Sequence, residues 1–159
     1  AAESRWKGLG VLLVISAAAS VVFLIASYHD IRRRSIPNWL PISVAVAAVL
    51  KWAVFGHWAP ALWAAAAAAM VFIVSAILFA QGWVGGGDVK LASATAFLLG
   101  APATPQFLVL MAVIGGAIAV LMLLGWSRER QRPTIPYGVA IAGSAIAMMA
   151  LDWRTLWVT

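Results

Sequence analysis

The sequence predicts an all-α integral membrane protein, a bundle of about six transmembrane helices. Three observations point there. Of 159 residues, 64% are apolar and only 10% are charged, with a mean hydropathy of +0.98. A soluble domain averages about half apolar and about a quarter charged residues, so this chain lacks the polar residues to cover a globule in water. It is also far too apolar for intrinsic disorder. Second, the apolar residues fall into six runs separated by proline, glycine and basic clusters. Third, each run is apolar all round, without a polar face, as a helix in lipid requires. At roughly 20 residues per span, the length leaves no room for a sizeable soluble domain, and residues 1–159 read as one membrane-embedded unit. Residues 1–7 begin without Met and are expected outside that unit, as a disordered stretch or a remnant of processing. The first run has no clear small-residue cleavage site and leads straight into Asp30 and three arginines, so no cleavable signal peptide is expected.

The runs cover about Gly8–Tyr28, Trp39–Phe55, Ala61–Phe79, Val89–Leu99, Phe107–Trp126 and Tyr137–Leu151, the last with a possible extension to Val158. Pro60, Pro102, Pro105, Pro133 and Pro136 fall between them, where they interrupt no helix. Trp6, Trp39, Trp58, Trp83, Trp126, Trp153 and Trp157 stand near run ends, as an interfacial aromatic belt predicts. Gly115 and Gly116 are expected to let helices pack closely. The fourth run differs from the rest. Its 11 residues rise about 16 Å against a hydrocarbon core of about 30 Å. The stretch Gly82–Lys90 before it is therefore expected to dip below the membrane surface, where irregular backbone is tolerated only against protein or a water-filled cavity. That makes Gly85-Gly86-Gly87-Asp88 a candidate wall of a site.

The net charge is +6. The basic residues sit in short clusters between apolar runs, a pattern of membrane orientation rather than of nucleic-acid binding. Arg32, Arg33, Arg34, Lys90, Arg128, Arg130 and Arg132 follow runs one, three and five; Arg5, Lys7, Lys51 and Arg154 lie on the other side. The positive-inside rule puts the first set in the cytoplasm and both termini outside. Cysteine is absent and there are two histidines, His29 and His57, so disulfides, a thiol nucleophile and a metal site are not expected, and no cofactor is called for.

Among the five acidic residues, Glu3 and Asp152 lie near the termini and Glu129 sits among arginines. Asp30 and Asp88 stand apart. Each lies at a cytoplasmic helix end, and an even number of spans separates them, so both emerge on one side. Each is followed by an apolar residue and then a base: Asp30-Ile31-Arg32 and Asp88-Val89-Lys90. Two readings stay open from the residues alone. Asp30 pairs with the arginines after it, and Asp88 is the N-cap of the fourth helix. Or the two share a proton, one activating water while the other donates to a carbonyl oxygen. A pair at membrane depth would titrate as a unit.

The wording around both carboxylates carries a resemblance. Asp30-Ile31-Arg32-Arg33-Arg34-Ser35-Ile36-Pro37-Asn38 resembles the first aspartate motif of the type IV prepilin peptidases, an aspartate followed by Arg and then Ile-Pro-Asn. Gly85-Gly86-Gly87-Asp88-Val89-Lys90 resembles their second motif, Gly-x-Gly-Asp-x-Lys. Ile135-Pro136-Tyr137-Gly138 looks like the start of the family's last helix. The resemblance covers about residues 11–150. It implies an aspartic membrane endopeptidase of the Gly-x-Gly-Asp type, with Asp30 and Asp88 as the catalytic pair, acting at the cytoplasmic face. Its partners would be the bilayer and a prepilin-like substrate, whose short basic leader is cut off, usually after glycine. Larger members add an N-terminal Cys-x-x-Cys region and methylate the new amino terminus. This chain looks like the short form of tight-adherence (Tad/Flp) and archaeal pilin systems, and methyl transfer is not expected.

The remaining motif residues are expected in supporting roles. Pro37 would open the second helix in its first turn. Asn38 would bond Asp30, the loop backbone or a helix end. Gly85 and Gly87 would admit a substrate backbone or form a tight turn. Lys90 would bias Asp88 or snorkel to the interface. Arg32 would set topology with its neighbours rather than hold a basic leader, and His29 would be a solvated loop residue. Two alternatives remain. A presenilin-like or signal-peptide-peptidase-like protease shares Gly-x-Gly-Asp but not the flanking Arg and Ile-Pro-Asn. A small proton-coupled transporter would use the carboxylates as relays, though the central parts of the runs hold almost no polar residues.

Overall fold

The computed structural model describes residues 2–55, 58–126 and 137–151. Among these the chain is all-helical: α1 (Ala2–Arg33), α2 (Trp39–Phe55), α3 (Trp58–Ala80), α4 (Gly86–Leu99), α5 (Thr104–Leu121), a π-helical turn Met122–Trp126, and α6 (Tyr137–Leu151). Three stretches, Gly10–Arg33, Trp58–Ala80 and Thr104–Leu124, are long and apolar enough to cross a membrane. Trp39–Val54 and Tyr137–Ala150 are apolar but shorter. The protein is a helical membrane protein. Arg128, Glu129, Arg130, Arg132, Pro133, Ile135, Pro136, His57, Asp152 and Arg154 lie outside the described residues.

The helices follow the six apolar runs, with informative shifts at their starts. Two of them take up prolines expected between runs: Pro60 lies in the first turn of α3 and Pro105 in that of α5. A first-turn residue has no intrahelical acceptor for its N–H, so proline costs nothing there. Pro37 goes the other way. It precedes α2, and its carbonyl accepts the Leu40 N–H at 3.1 Å, so it shapes the loop rather than the first turn.

α4 is the axis of the bundle. It packs on α2, α3 and α6, while α1 packs on α2 and α6, and α5 on α6. Leu91, Ala92, Ala94, Thr95, Ala96, Leu98 and Leu99 of α4 are buried, together with Phe23, Leu40, Val44, Phe107 and Ile141 from its surroundings. α3 is the reverse: of its residues only Ala64 and Val71 are buried, and Trp63, Met70, Phe72, Ile73 and Phe79 face outward. In lipid an outward-facing Phe or Ile carries no penalty, so apolar character does not mark the core; small side chains permitting close approach do. Gly115 fits this rule, since a Cβ there would meet Ala140 at 3.6 Å, whereas Gly116 faces open space.

Lys51 corrects the charge reading. It is not a flanking charge but a buried residue of α2, 1% exposed, whose Nζ donates to the Leu98 carbonyl at 2.8 Å.

Candidate active site

Asp30 lies within α1, in its last turn, not beyond it. The turn closes as the Arg34 N–H donates to the Asp30 carbonyl at 3.0 Å, with Arg34 at a φ of 51°. The Asp30 side chain is 6% exposed. The backbone amides of Gly138 and Val139, at the start of α6, act on its carboxyl, with a further attraction from Arg34. A helix N-terminus concentrates unpaired N–H groups and positive partial charge, which is where a carboxylate is held best. The approach requires glycine: a Cβ on Gly138 would lie 2.9 Å from Asp30 Oδ2 and 2.9 Å from Ile36 Cδ1.

Asp88 lies in the first turn of α4, outside the three long spans. The N-cap is Gly85, in extended conformation, so the expectation of Asp88 as N-cap is corrected by three residues. Asp88 instead reaches back to the cap: its Oδ2 accepts the Gly85 N–H at 3.3 Å, the carboxylate half of a capping box. The glycines serve close approach. A Cβ on Gly85 would come 2.9 Å from Asp88 Oδ2, and one on Gly87 would come 2.8 Å from Ile36 Cβ and 3.2 Å from the Ile36 carbonyl. The left-handed turn itself is made earlier, at Gly82 with φ 77°.

Ile36 joins the two halves. It is wedged between Gly87 of α4 and Gly138 of α6, so Asp88 and Asp30 converge around one side chain of the α1–α2 loop. Their mutual electrostatics agree. Burial first, and then the negative charge of Asp30, push the Asp88 carboxyl up to about 6, against a smaller opposing effect of the Gly85 N–H. Asp30 Oδ2, Asp88 Oδ1 and His29 Nδ1 are buried without a hydrogen-bond partner. Orphaned buried oxygens on two neighbouring carboxyls are rare in a structural role, because each costs the desolvation of a polar atom. His29 is thus not a solvated loop residue; it sits half-buried on α1 with its ring edge-on to Tyr28.

The other expected residues divide. Asn38 does not reach Asp30: its Oδ1 accepts from Lys90 Nζ at 2.9 Å, tying the α1–α2 loop to α4. Lys90 is exposed and held by that bond. Arg32 is exposed, its guanidinium 5.7 Å from the Tyr28 ring centre. Gly85 and Gly87 are at the site, Pro37 only shapes the loop leading to it. Ile36, Gly138 and Val139 also belong to the site; the Ile-Pro-Asn and Tyr137-Gly138 wording was the signal for the first two, and none pointed to Val139. Among the described residues no group of three or more His, Cys, Asp or Glu side chains gathers as a metal site would require.

A family model, the type IV leader peptidase family, matches residues 17–120, which include both carboxylates. No curated protein and no solved structure gives a match.

Proposed function

From the chain's membership of the type IV leader peptidase family, we propose that this membrane protease is an aspartic endopeptidase in which Asp30 and Asp88 together activate water. The observation that carries the reading is their convergence around Ile36, with the charge of one felt at the other. Two interacting carboxyls cannot both ionise comfortably, so below about pH 6 they hold one proton between them. Asp88, raised toward neutrality by burial and by Asp30, keeps it. Asp30, beside the α6 N-terminus and Arg34, is the partner that takes the proton of the water.

Chemistry follows from that asymmetry. A water between the orphaned oxygens loses a proton to Asp30 as its oxygen attacks the scissile carbonyl carbon. Asp88 gives its proton to the carbonyl oxygen. When the tetrahedral intermediate collapses, Asp88 takes back the hydroxyl proton, and Asp30 passes its proton to the departing amine. Bonds and protons balance, and no metal or cofactor enters. The substrate class is a prepilin-like polypeptide cut after its short basic leader, at the cytoplasmic face of the cytoplasmic membrane, where the positive-inside rule puts this end of the bundle. The test is cleavage of such a polypeptide in detergent or lipid. Asp30→Asn and Asp88→Asn each abolish it, and chelators leave the wild type untouched. Substantial cleavage by either variant rejects the pair.

A further inference from the structure

We propose that Asn38 and Lys90 are positioning residues: their hydrogen bond clamps the α1–α2 loop along one face of α4 and so sets the spacing of the Asp30 and Asp88 carboxyls. The inference rests on the peptidase reading above and adds what keeps the pair in register. The packing creates the need for such a device. α1 carries Asp30 and packs on α2 and α6, while α4 carries Asp88 and packs on α2, α3 and α6. The two carboxyl-bearing helices are therefore joined through their neighbours and through the loop 34–38, rather than by a broad face of their own.

That loop meets α4 at two points. Ile36 lies against Gly87, where an added Cβ would come 2.8 Å from the Ile36 Cβ and 3.2 Å from its carbonyl. Asn38 Oδ1 accepts from Lys90 Nζ at 2.9 Å. Gly87 and Lys90 are three residues apart, so they are neighbours on one helix face, and Asp88 follows Gly87 directly. Pro37 stands between the two contact residues. Its ring fixes a backbone angle and its carbonyl accepts the Leu40 N–H at 3.1 Å, so Ile36 and Asn38 move as one piece. The Ile36 contact is apolar and without direction; it blocks approach but resists sliding poorly. The Asn38–Lys90 bond is directional, and among the described residues no other side-chain hydrogen bond joins this loop to α4. At the other end of the loop the Arg34 N–H donates to the Asp30 carbonyl at 3.0 Å, so a slide of the loop along α4 is passed to the turn that carries Asp30. Both Asn38 and Lys90 are exposed. Their bond therefore adds little to folding, and its effect falls on geometry.

Asn38→Ala removes the acceptor and leaves every titratable group near Asp88 in place: Tyr28, His29, Asp30 and the three arginines at the end of α1, Lys90 on α4 and Tyr137 on α6, with none on α3 and only the distant Lys51 on α2. The probe is a polypeptide with a basic leader, a glycine junction and an apolar helix, cleaved in detergent. Asn38→Ala is expected to lower kcat about tenfold with KM held within about twofold. The falling limb of kcat near pH 6 should move about one unit lower, because the charge of Asp30 is part of what raises Asp88. Lys90→Met should repeat the loss in kcat, the double variant should be no worse than either single one, and Lys90→Arg, which keeps a donor in reach, should recover most of the rate. Additive losses, an unmoved limb in Asn38→Ala, or an arginine as damaging as methionine overturns the proposal. Titration of the Asp88 carboxyl by carbon-13 NMR reads the same spacing without turnover. Its midpoint should drop by about one unit in Asn38→Ala, and an unchanged midpoint overturns the clamp. Cleavage surviving Asp30→Asn or Asp88→Asn would instead sink the peptidase reading, while the carboxyl titration would still decide whether the bond sets the spacing.

Discussion

The two ends of α4 meet the rest of the molecule in opposite ways. At its start, Asp88 and the neighbouring Asp30 keep buried oxygens without partners, and glycines hold the backbone against Ile36 and the Asp88 carboxyl. At its finish, where a helix normally leaves carbonyls unsatisfied, two donors arrive from α2: Lys51 Nζ reaches the Leu98 carbonyl at 2.8 Å and Trp52 Nε1 the Phe97 carbonyl at 3.0 Å, while the cap residue Gly100 gives its own N–H to the Ala96 carbonyl at 2.9 Å. The difference teaches how polar misfit is tolerated. One end is tied by hydrogen bonds to three of its carbonyls, which fix the helix; the other can then hold reactive groups short of partners, as strained functional sites do when their surroundings over-determine them.

Removing the reactive group at the first end should have the largest effect. Asp88→Asn and Asp30→Asn are expected to lower the cleavage rate about 10³-fold or more, with helical content unchanged by circular dichroism. Asp88→Asn should at the same time make the fold more resistant. A carboxyl raised from 3.8 to about 6 lowers stability as pH rises between those values, because the unfolded state ionises first. The variant's higher unfolding midpoint is thus expected above about pH 6 and should vanish below about pH 4. Equal midpoints at pH 7 would contradict the burial of Asp88.

Wild-type cleavage should follow the same group. With Asp88 as proton donor, kcat is expected to fall as pH rises through about 6, a limb that Asp88→Asn cannot show. Next in size is the close approach. Gly87→Val drives a branched side chain into Ile36, and a misplacement of this kind is expected to cost about 10²-fold in rate. Ile36→Ala in the same protein should restore little of it, since the atoms in the way are the Ile36 Cβ, which alanine keeps, and the Ile36 carbonyl and Cα.

At the far end the effects should be on stability rather than on rate. Lys51→Met leaves a buried carbonyl without this donor and is expected to destabilise by about 1–3 kcal/mol, and Trp52→Phe by about 1 kcal/mol, both read from unfolding in detergent. The rate per folded molecule should hold. A fall in rate as large as that of Gly87→Val would erase the contrast between the ends.

Much of this was legible in the sequence, for reasons that also define where legibility stops. The helices were readable because lipid tolerates only long apolar runs. Asp30 and Asp88 stood out because carboxylates beside such runs are costly. What stayed hidden depends on contacts between distant segments. Lys51 read as a flanking charge because nothing along the chain says that the end of α4 lies beside it. For Asn38 the sequence offered Asp30, the loop backbone or a helix end, all near it along the chain, yet its bond is to Lys90. Gly138 and Ile36 bear no chemistry of their own; they matter only because α1, α4 and α6 press together there. For Asp88 the sequence left a cap and a reactive carboxyl both open, and the structure makes Gly85 the cap.

The lysine and tryptophan that close the end of α4 have a consequence for the choice of host membrane. A span held only by lipid tilts when the acyl chains lengthen or shorten. α4 is surrounded by protein and tethered through its own carbonyls, so its depth follows its neighbours and not the hydrocarbon thickness. Reconstituted in bilayers of differing chain length, the long outer helices should lean while the carboxyl pair keeps its spacing, and turnover should change little from thin membranes to thick ones.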